Sequence, residues 1–300
     1  LATVRVSRSS ADQRRGRAGR TEPGTCYRLW DEETTRGLVS HQRPEILEAD
    51  MTGVMLDLAR WGRTSVEGLA LLDRPSAGAM AEARAVLARL GAVDAKGVLT
   101  DHGRRLSTIP LSPRLAHMVA SAADSGQAQA GALIATILSE PGLGGNASDL
   151  GERLSGFSRD QTPRARDARK LANRWASAAN ISVGDHKDTA LSEGVLIAKA
   201  FPERIARARG KPGEFLLASG RGVWIDPTDA LAGHAWLAVA ELGGGDRTDR
   251  IRLAAPLEPD QLHDLATIED RLSRQPSGRM VMRRTRRIGA ISLEETDLGA

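Results

Sequence analysis

The sequence predicts a multidomain α+β chain, and three features carry that prediction: length, a hydrophobic period that changes along the chain, and glycines placed where the changes fall. At 300 residues with 41% hydrophobic content, the chain exceeds what one compact core usually organises, so several domains of ordinary size are expected. The period is mixed at first, helical from about residue 45 to 200, and two-residue after that. These shifts divide the chain into 1–44, 45–109, 110–200, 201–257 and 258–300.

Residues 1–30 read as strand, helix, turn and strand. Ala2-Thr3-Val4-Arg5-Val6 is β-prone, Ser9 or Ser10 caps a helix, and Glu22-Pro23-Gly24 turns the chain into Cys26-Tyr27-Arg28-Leu29-Trp30. So short an α/β piece cannot bury its own sheet, and companion strands are expected upstream of Leu1. The chain opens without an initiator Met and stops at Glu294-Glu295-Thr296-Asp297-Leu298-Gly299-Ala300 without a terminating signal, so a fragment at both ends is expected.

In 45–109, Ile46, Met51, Met55, Leu58 and Ala59 form an amphipathic stretch ended by Trp61-Gly62. Met80, Ala83, Val86, Leu87 and Leu90 form a second, ended by Gly91. Val93 to Leu99 then reads as a two-stranded wing turning at Ala95-Lys96-Gly97, and Thr100 caps a short helix. Helices plus a β-wing make a winged-helix domain. The Ala-rich segment 110–200 reads as a helical bundle, with Leu115, Met118, Val119 and Ala122 on one stripe and Leu133, Ile134, Ile137 and Leu138 on another. Pro141 to Asn146 is a loop, and Arg153 to Arg174 carries a basic face on one further helix.

Short strands with glycine turns follow: Glu214–Leu217, Val223–Ile225, Ala235–Leu242 and Ile251–Leu253, with turns at Ser219–Gly222 and Gly243–Asp246. This is the pattern of a small OB-like β-barrel, with Trp224 and Trp236 expected in its core. Residues 258–300 read as a helix, Asp260 to Leu272, and a basic strand or arm.

A pI near 9.7 at a net charge of +4 suggests an Arg-rich surface and polyanionic partners. Arg outnumbers Lys 37 to 5, which a GC-rich genome would also produce, so the distribution of charge matters more than its total. It concentrates in 1–30, 151–175, 203–221 and 279–287, where Arg279, Arg283, Arg284, Arg286 and Arg287 meet no acid in the run. Separate patches suit an extended ligand, although a solvated face explains any one of them. Arg204, Arg207 and Arg209 suit a strand of phosphates or a solvated helix edge equally.

The single cysteine, Cys26, can form no internal disulfide and reads as a small buried residue of its strand. The six histidines lack ligand spacing, so no metal site is expected, and His102 and His117 read as hydrogen-bonded structural residues. Neither a secretory leader nor an apolar run of membrane-spanning length is present in the sequence, and a cytoplasmic protein with no membrane partner is expected.

The segment that carries chemistry is Gln13-Arg14-Arg15-Gly16-Arg17-Ala18-Gly19-Arg20. On a helix, Gln13, Arg17 and Arg20 are spaced by four and three residues and fall on one face. The cluster repels itself and contains two glycines, each costing about 1 kcal/mol inside a helix. A bound triphosphate would account for both, since glycines admit a close surface and planar guanidiniums meet phosphate oxygens bidentately. An exposed basic helix that binds nothing particular is the alternative.

The run from Ser9 through this octamer to Thr21-Glu22-Pro23-Gly24-Thr25-Cys26-Tyr27-Arg28-Leu29-Trp30 resembles motif VI and its trailing strand in DEAH/RHA-type RNA helicases. Leu99-Thr100-Asp101-His102-Gly103-Arg104-Arg105-Leu106-Ser107-Thr108-Ile109-Pro110-Leu111-Ser112-Pro113-Arg114-Leu115-Ala116 is similar to the family's passage from winged helix into the helical ratchet domain. Phe201-Pro202-Glu203-Arg204-Ile205-Ala206-Arg207-Ala208-Arg209 and Gly220-Arg221-Gly222-Val223-Trp224 resemble the HrpB branch.

The resemblance implies that 1–44 is the C-terminal piece of a second RecA-like lobe and that 258–300 begins a C-terminal extension. It implies that Gln13, Arg17 and Arg20 contact the γ-phosphate of ATP, with Arg17 and Arg20 catalytic, and it tilts Arg204, Arg207, Arg209 and Arg221 toward RNA. No Gly-x-Gly-Lys-Ser/Thr loop, Asp-Glu-Ala-His box or Ser-Ala-Thr motif occurs in the sequence, so ATP and the Mg ligands are expected from a preceding lobe and this segment alone is expected to be inactive. The implied whole is an ATP-dependent RNA helicase. The alternative is a non-catalytic winged-helix/OB protein that binds nucleic acid.

Overall fold

In a computed structural model of the chain, the described residues are 5–180, 190–243, 249–274 and 280–298. They fall into two units, one of residues 1–51 and 65–83, the other of 52–64 and 84–300.

In the first unit, helix α1 (Arg8–Arg17) begins where the Ser7 hydroxyl accepts a hydrogen bond from the Ser10 N–H, so the cap is Ser7 rather than Ser9 or Ser10. Helix α2 (Glu32–Gly37) is capped by Asp31, whose carboxylate accepts from the Thr34 N–H at 2.6 Å. The first strand expected lies mostly outside the described residues. The second is absent: residues 26–30 run without strand pairing. A strand forms only where a neighbour satisfies its N–H and C=O groups, and none among the described residues does. Cys26 is therefore exposed instead of buried, and Tyr27 and Leu29 stand 85% and 94% exposed.

In the second unit, α3 (Thr52–Arg60) and α4 (Ala77–Arg89), which the unit boundary divides, stop at the predicted glycines. Gly62 and Gly91 adopt φ of 74° and 68°, and the next N–H groups reach back to the Leu58 and Leu87 carbonyls, the closing bond of a Schellman motif. The wing is a single bridge between Val93 and Leu99. Its turn is held by Asp94, whose Oδ1 accepts from the N–H groups of Lys96 and Val98. Thr100 caps α5 (Asp101–Leu106) as predicted, accepting from the Gly103 N–H at 2.9 Å.

The bundle comprises α6 (Pro113–Asp124), α7 (Ala128–Ser139), α8 (Leu150–Arg159), α9 (Pro163–Ala179) and α10 (Glu193–Ala200). Leu115, Met118, Val119 and Ala122 are buried, as are Ile134 and Ile137, while Leu133 and Leu138 are half-buried. The expected single basic helix is two, α8 and α9. Asp160 takes the Thr162 N–H, Thr162 caps α9, and Pro163 cannot donate to a continuing helix.

Five strands close a barrel in the order β1-β2-β3-β5-β4: β1 (Ile205–Ala208), β2 (Glu214–Leu217), β3 (Gly222–Trp224), β4 (Trp236–Gly243) and β5 (Asp249–Pro256). All pairs are antiparallel except β3 with β5. Phe215, Leu217, Val223, Leu237, Val239 and Ile251 fill the interior. β1 lies where a helix edge had been one reading, because β2 and β4 both pair with it. Residues 244–246 of the expected β4–β5 turn lie outside the described residues. Trp236 is buried but on the face of β4 away from Leu237 and Val239, beside Arg207 rather than in the barrel's interior, and Trp224 is 38% exposed; the strand's alternation buries Val223 and turns the next residue out.

The helix expected over Asp260–Leu272 is overturned. Pro259–Leu265 is a 3-10 turn, and Thr267–Arg274 is strand β6 of an antiparallel sheet with β7 (Met280–Ile288) and β8 (Ile291–Asp297). Pairing decides it, since β7 supplies backbone partners along the full length of β6. The same sheet corrects the unneutralised basic run. Arg283, Arg284, Arg286 and Arg287 each face a carboxylate on a flanking strand, and Arg279 lies outside the described residues. No helix among the described residues is long and apolar enough to cross a membrane.

Candidate functional site

Helix α1 is anchored on one side and open on the other. The Ser7 cap is fully buried, Ala11 is buried, and the N–H groups of Arg8 and Ser9 donate to the Val39 and Ser40 carbonyls. This fixes the helix while Gln13, Arg14, Arg17 and Arg20 remain exposed. Asp12 gathers the neighbouring cations: its Oδ1 accepts from Arg28 at 2.5 Å and lies 3.9 Å from Arg15. The Arg28 hydrogen bond, above all, holds the Asp12 carboxyl below its ordinary range.

The side chains of Gln13, Arg14, Arg17 and Arg20 form no hydrogen bond or ion pair with another described residue. Gln13 and Arg17 sit one turn apart on α1, but the helix ends at Arg17 with Ala18 as its C-cap. Arg20 lies in the following turn, so the single helical face expected for all three is corrected. Gly16 weakens the last turn of the helix, Gly19 lies past its C-cap, and beyond them the chain doubles back so closely that a β-carbon on Gly24 would stand 1.8 Å from the Ala18 carbonyl oxygen. The outcome is an open cluster of cationic donors, suited to an anion with several oxygens.

The barrel arginines are differently placed. Arg204 donates Nη1–H to the Ala240 carbonyl at 2.8 Å and lies 4.5 Å from the Phe201 ring centroid, and burial lowers its pKa from the ordinary value. Arg207 and Arg209, two apart near β1, are exposed; Arg207 donates to the Ser292 carbonyl at 3.1 Å. Exposed Arg221, in the β2–β3 turn, pairs with Asp249. The basic stretch 151–175 also contains committed guanidiniums, for Arg153 donates to Ala147 and Arg252 carbonyls and Arg169 to those of Phe157 and Asp160.

His102 and His117, each expected to be a hydrogen-bonded structural residue, are bonded to each other, a pairing the sequence did not indicate. Nε2 of His102 lies 2.9 Å from Nδ1 of His117, with the rings nearly perpendicular. Burial, and then the neighbouring His102, push the His117 pKa from 6.5 to about 4. Sequence reasoning missed the exposed face of Trp224 and the cation of Arg250 beside it. Val223-Trp224-Ile225 is apolar throughout, so its periodicity does not say which residue faces out.

One chain thus combines an open cluster of exposed arginines, a helical bundle and a closed five-stranded barrel. The chain is homologous to the ATP-dependent RNA helicase HrpB of Escherichia coli, 36% identical over 264 residues, which is 87% of this chain and 31% of that protein. A crystal structure of the E. coli DExH-box NTPase HrpB matches all of this chain at a TM-score of 0.78 and 32% identity. A crystal structure of the E. coli DEAH/RHA helicase HrpB matches 99% of it at the same TM-score and identity. In both, the match covers 37% of the longer chain, so this chain spans about a third of the relatives it resembles. No family model matches it. The relatives' names do not favour the non-catalytic alternative.

Proposed function

We propose that this chain is the C-terminal part of a cytoplasmic ATP-dependent RNA helicase, which couples ATP hydrolysis to translocation on RNA or unwinding of it. Residues 1–44 would be the end of a second RecA-like lobe, 45–109 a winged helix, 110–200 a ratchet bundle, 201–257 an OB-like barrel and 258–300 the start of a C-terminal extension. The strand order of the barrel and its parallel β3–β5 closure support the OB-like reading.

The observation that carries the proposal is that the side chains of Gln13, Arg17 and Arg20 have no partner among the described residues. Two donor groups on an anchored helix and a third in the turn that follows it are ready for a γ-phosphate, and Arg17 and Arg20 are the residues assigned to stabilise charge as it transfers. ATP would be gripped by a preceding lobe, which also supplies the Mg ligands, so this segment alone would not turn ATP over. Arg207, Arg209 and Arg221 offer exposed guanidiniums to RNA phosphates; Arg204, committed to the Ala240 carbonyl, has less to offer.

The test is Arg20→Ala in the complete protein. ATP turnover should fall about a thousandfold or more, as for arginine fingers generally, with circular dichroism and the melting curve unchanged. Turnover equal to the unaltered protein's would remove the assignment.

A further inference from the structure

The outer wall of the barrel carries an aromatic surface with no role so far. Trp224 ends β3, and it is 38% exposed although the residues on either side of it are buried. Among the described residues of the barrel it is the one large apolar side chain on the surface. Register places Glu214 of β2 beside it on one flank and Arg250 of β5 on the other. The Arg250 guanidinium lies 5.3 Å from the indole centroid, forming a ring and a planar cation side by side.

Two residues back along the same face, Gly222 presents no side chain. The Arg209 Nη1 lies 3.4 Å from where its β-carbon would stand. A strip results: cation, gap, ring, cation. A protein partner would call for a contiguous apolar patch, which one indole among charges does not provide. A single-stranded polynucleotide matches the strip, because every base has a face to stack on indole or guanidinium and every phosphate a charge for arginine.

We propose that Trp224, with Arg250 against it, is a stacking site for one base of single-stranded RNA, and that Arg209 holds an adjoining phosphate. The inference rests on the reading of this protein as one that acts on RNA. It adds to that reading a contact that is sequence-tolerant and not primarily electrostatic.

Binding of a short fluorescent oligouridylate to the complete protein, over a range of salt, tests it. Trp224→Ala should weaken binding about tenfold without altering the slope of log affinity against log salt, because stacking releases no counterion. Trp224→Phe should recover most of the loss. An abasic strand of equal length should bind the alanine variant and the unaltered protein alike. Arg209→Ala should reduce the salt slope by about one. RNA should also quench indole emission in the unaltered protein more than in Trp224→Phe, a variant that keeps the aromatic packing. Equal affinity of Trp224→Ala for the oligouridylate, or an equal loss on the abasic strand, overturns the stacking site and leaves the RNA reading standing. Failure of the unaltered protein to bind oligouridylate overturns both.

Discussion

Helix α1 and strand β7 look alike in the sequence and opposite in the structure. Each region packs four arginines into a short run: Arg14, Arg15, Arg17 and, in the turn just past the helix, Arg20 in one, Arg283, Arg284, Arg286 and Arg287 in the other. In β7 each one meets acid. Arg283 bonds Asp297 at 3.0 Å, Arg284 holds both oxygens of Asp270 at 2.8 Å, Arg286 lies 3.5 Å from Glu294, and Arg287 lies 3.8 Å from Glu269. Of Arg14, Arg15, Arg17 and Arg20, only Arg15 has an acid partner among the described residues, Asp12. The acids of β7 arrive from strands 8 to 18 residues away in sequence, so local charge does not measure local field. What remains uncompensated after folding is the better guide to an anion site, since like charges held together without partners oppose their own helix.

Substituting one arginine in each region tests this contrast where it is largest. Arg17→Ala in the complete protein should lower ATP turnover about a thousandfold, whereas Arg286→Ala should change it less than about twofold, within the range of surface substitutions. Steady-state turnover at saturating ATP and RNA measures both. Similar losses from the two would mean that folding had not separated the runs.

The half-buried histidines extend the contrast to a group that folding keeps uncharged. His117 titrates near 6.5 when unfolded and at about 4 when folded, and burial also lowers His102. Between those values the unfolded chain binds the extra proton, so stability from His117 is complete above pH 6.5 and is lost as pH falls toward 4, a change on the order of 3 kcal/mol. Urea unfolding across pH 4 to 7 should show this decline, and His117→Gln should flatten it.

How far these features were legible depended on the range of the forces behind them. Helix stops at Gly62 and Gly91, the Thr100 cap and the buried stripe of α6 were readable, because capping and periodicity act within a turn or two. The donors Gln13, Arg17 and Arg20 were readable as a group, but not their division between helix and turn, because the doubling back at Gly24 depends on contact with Ala18. β1 and β6 were not legible as strands: each is four to eight residues long, with charged residues in it, and exists through pairing with distant segments. The internal roles of Arg153, Arg169 and Arg204 were hidden for the same reason, since their acceptors are carbonyl oxygens that only the fold brings near.

Committed arginines themselves differ in depth, which gives the smaller predictions. Arg105 is largely buried; it donates to Asp124 at 2.6 Å and to the Ala120 and Ala179 carbonyls. Arg105→Ala leaves those acceptors without their donor and should cost about 2 kcal/mol, less than a fully buried pair because Asp124 is half-exposed. Arg286, at the surface of the sheet, has its partner Glu294 60% exposed to water. Water solvates a freed carboxylate there, and holding two long side chains together costs entropy, so Arg286→Ala should cost about 0.5 kcal/mol or less and should cost less still in high salt. Denaturant midpoints for the two variants at low and high salt test the ordering. If the sheet position proved the costlier, the carboxylates facing β7 would have to act as one coupled network, and double-mutant cycles between Arg286 and Arg287 would then show a coupling that isolated surface pairs lack.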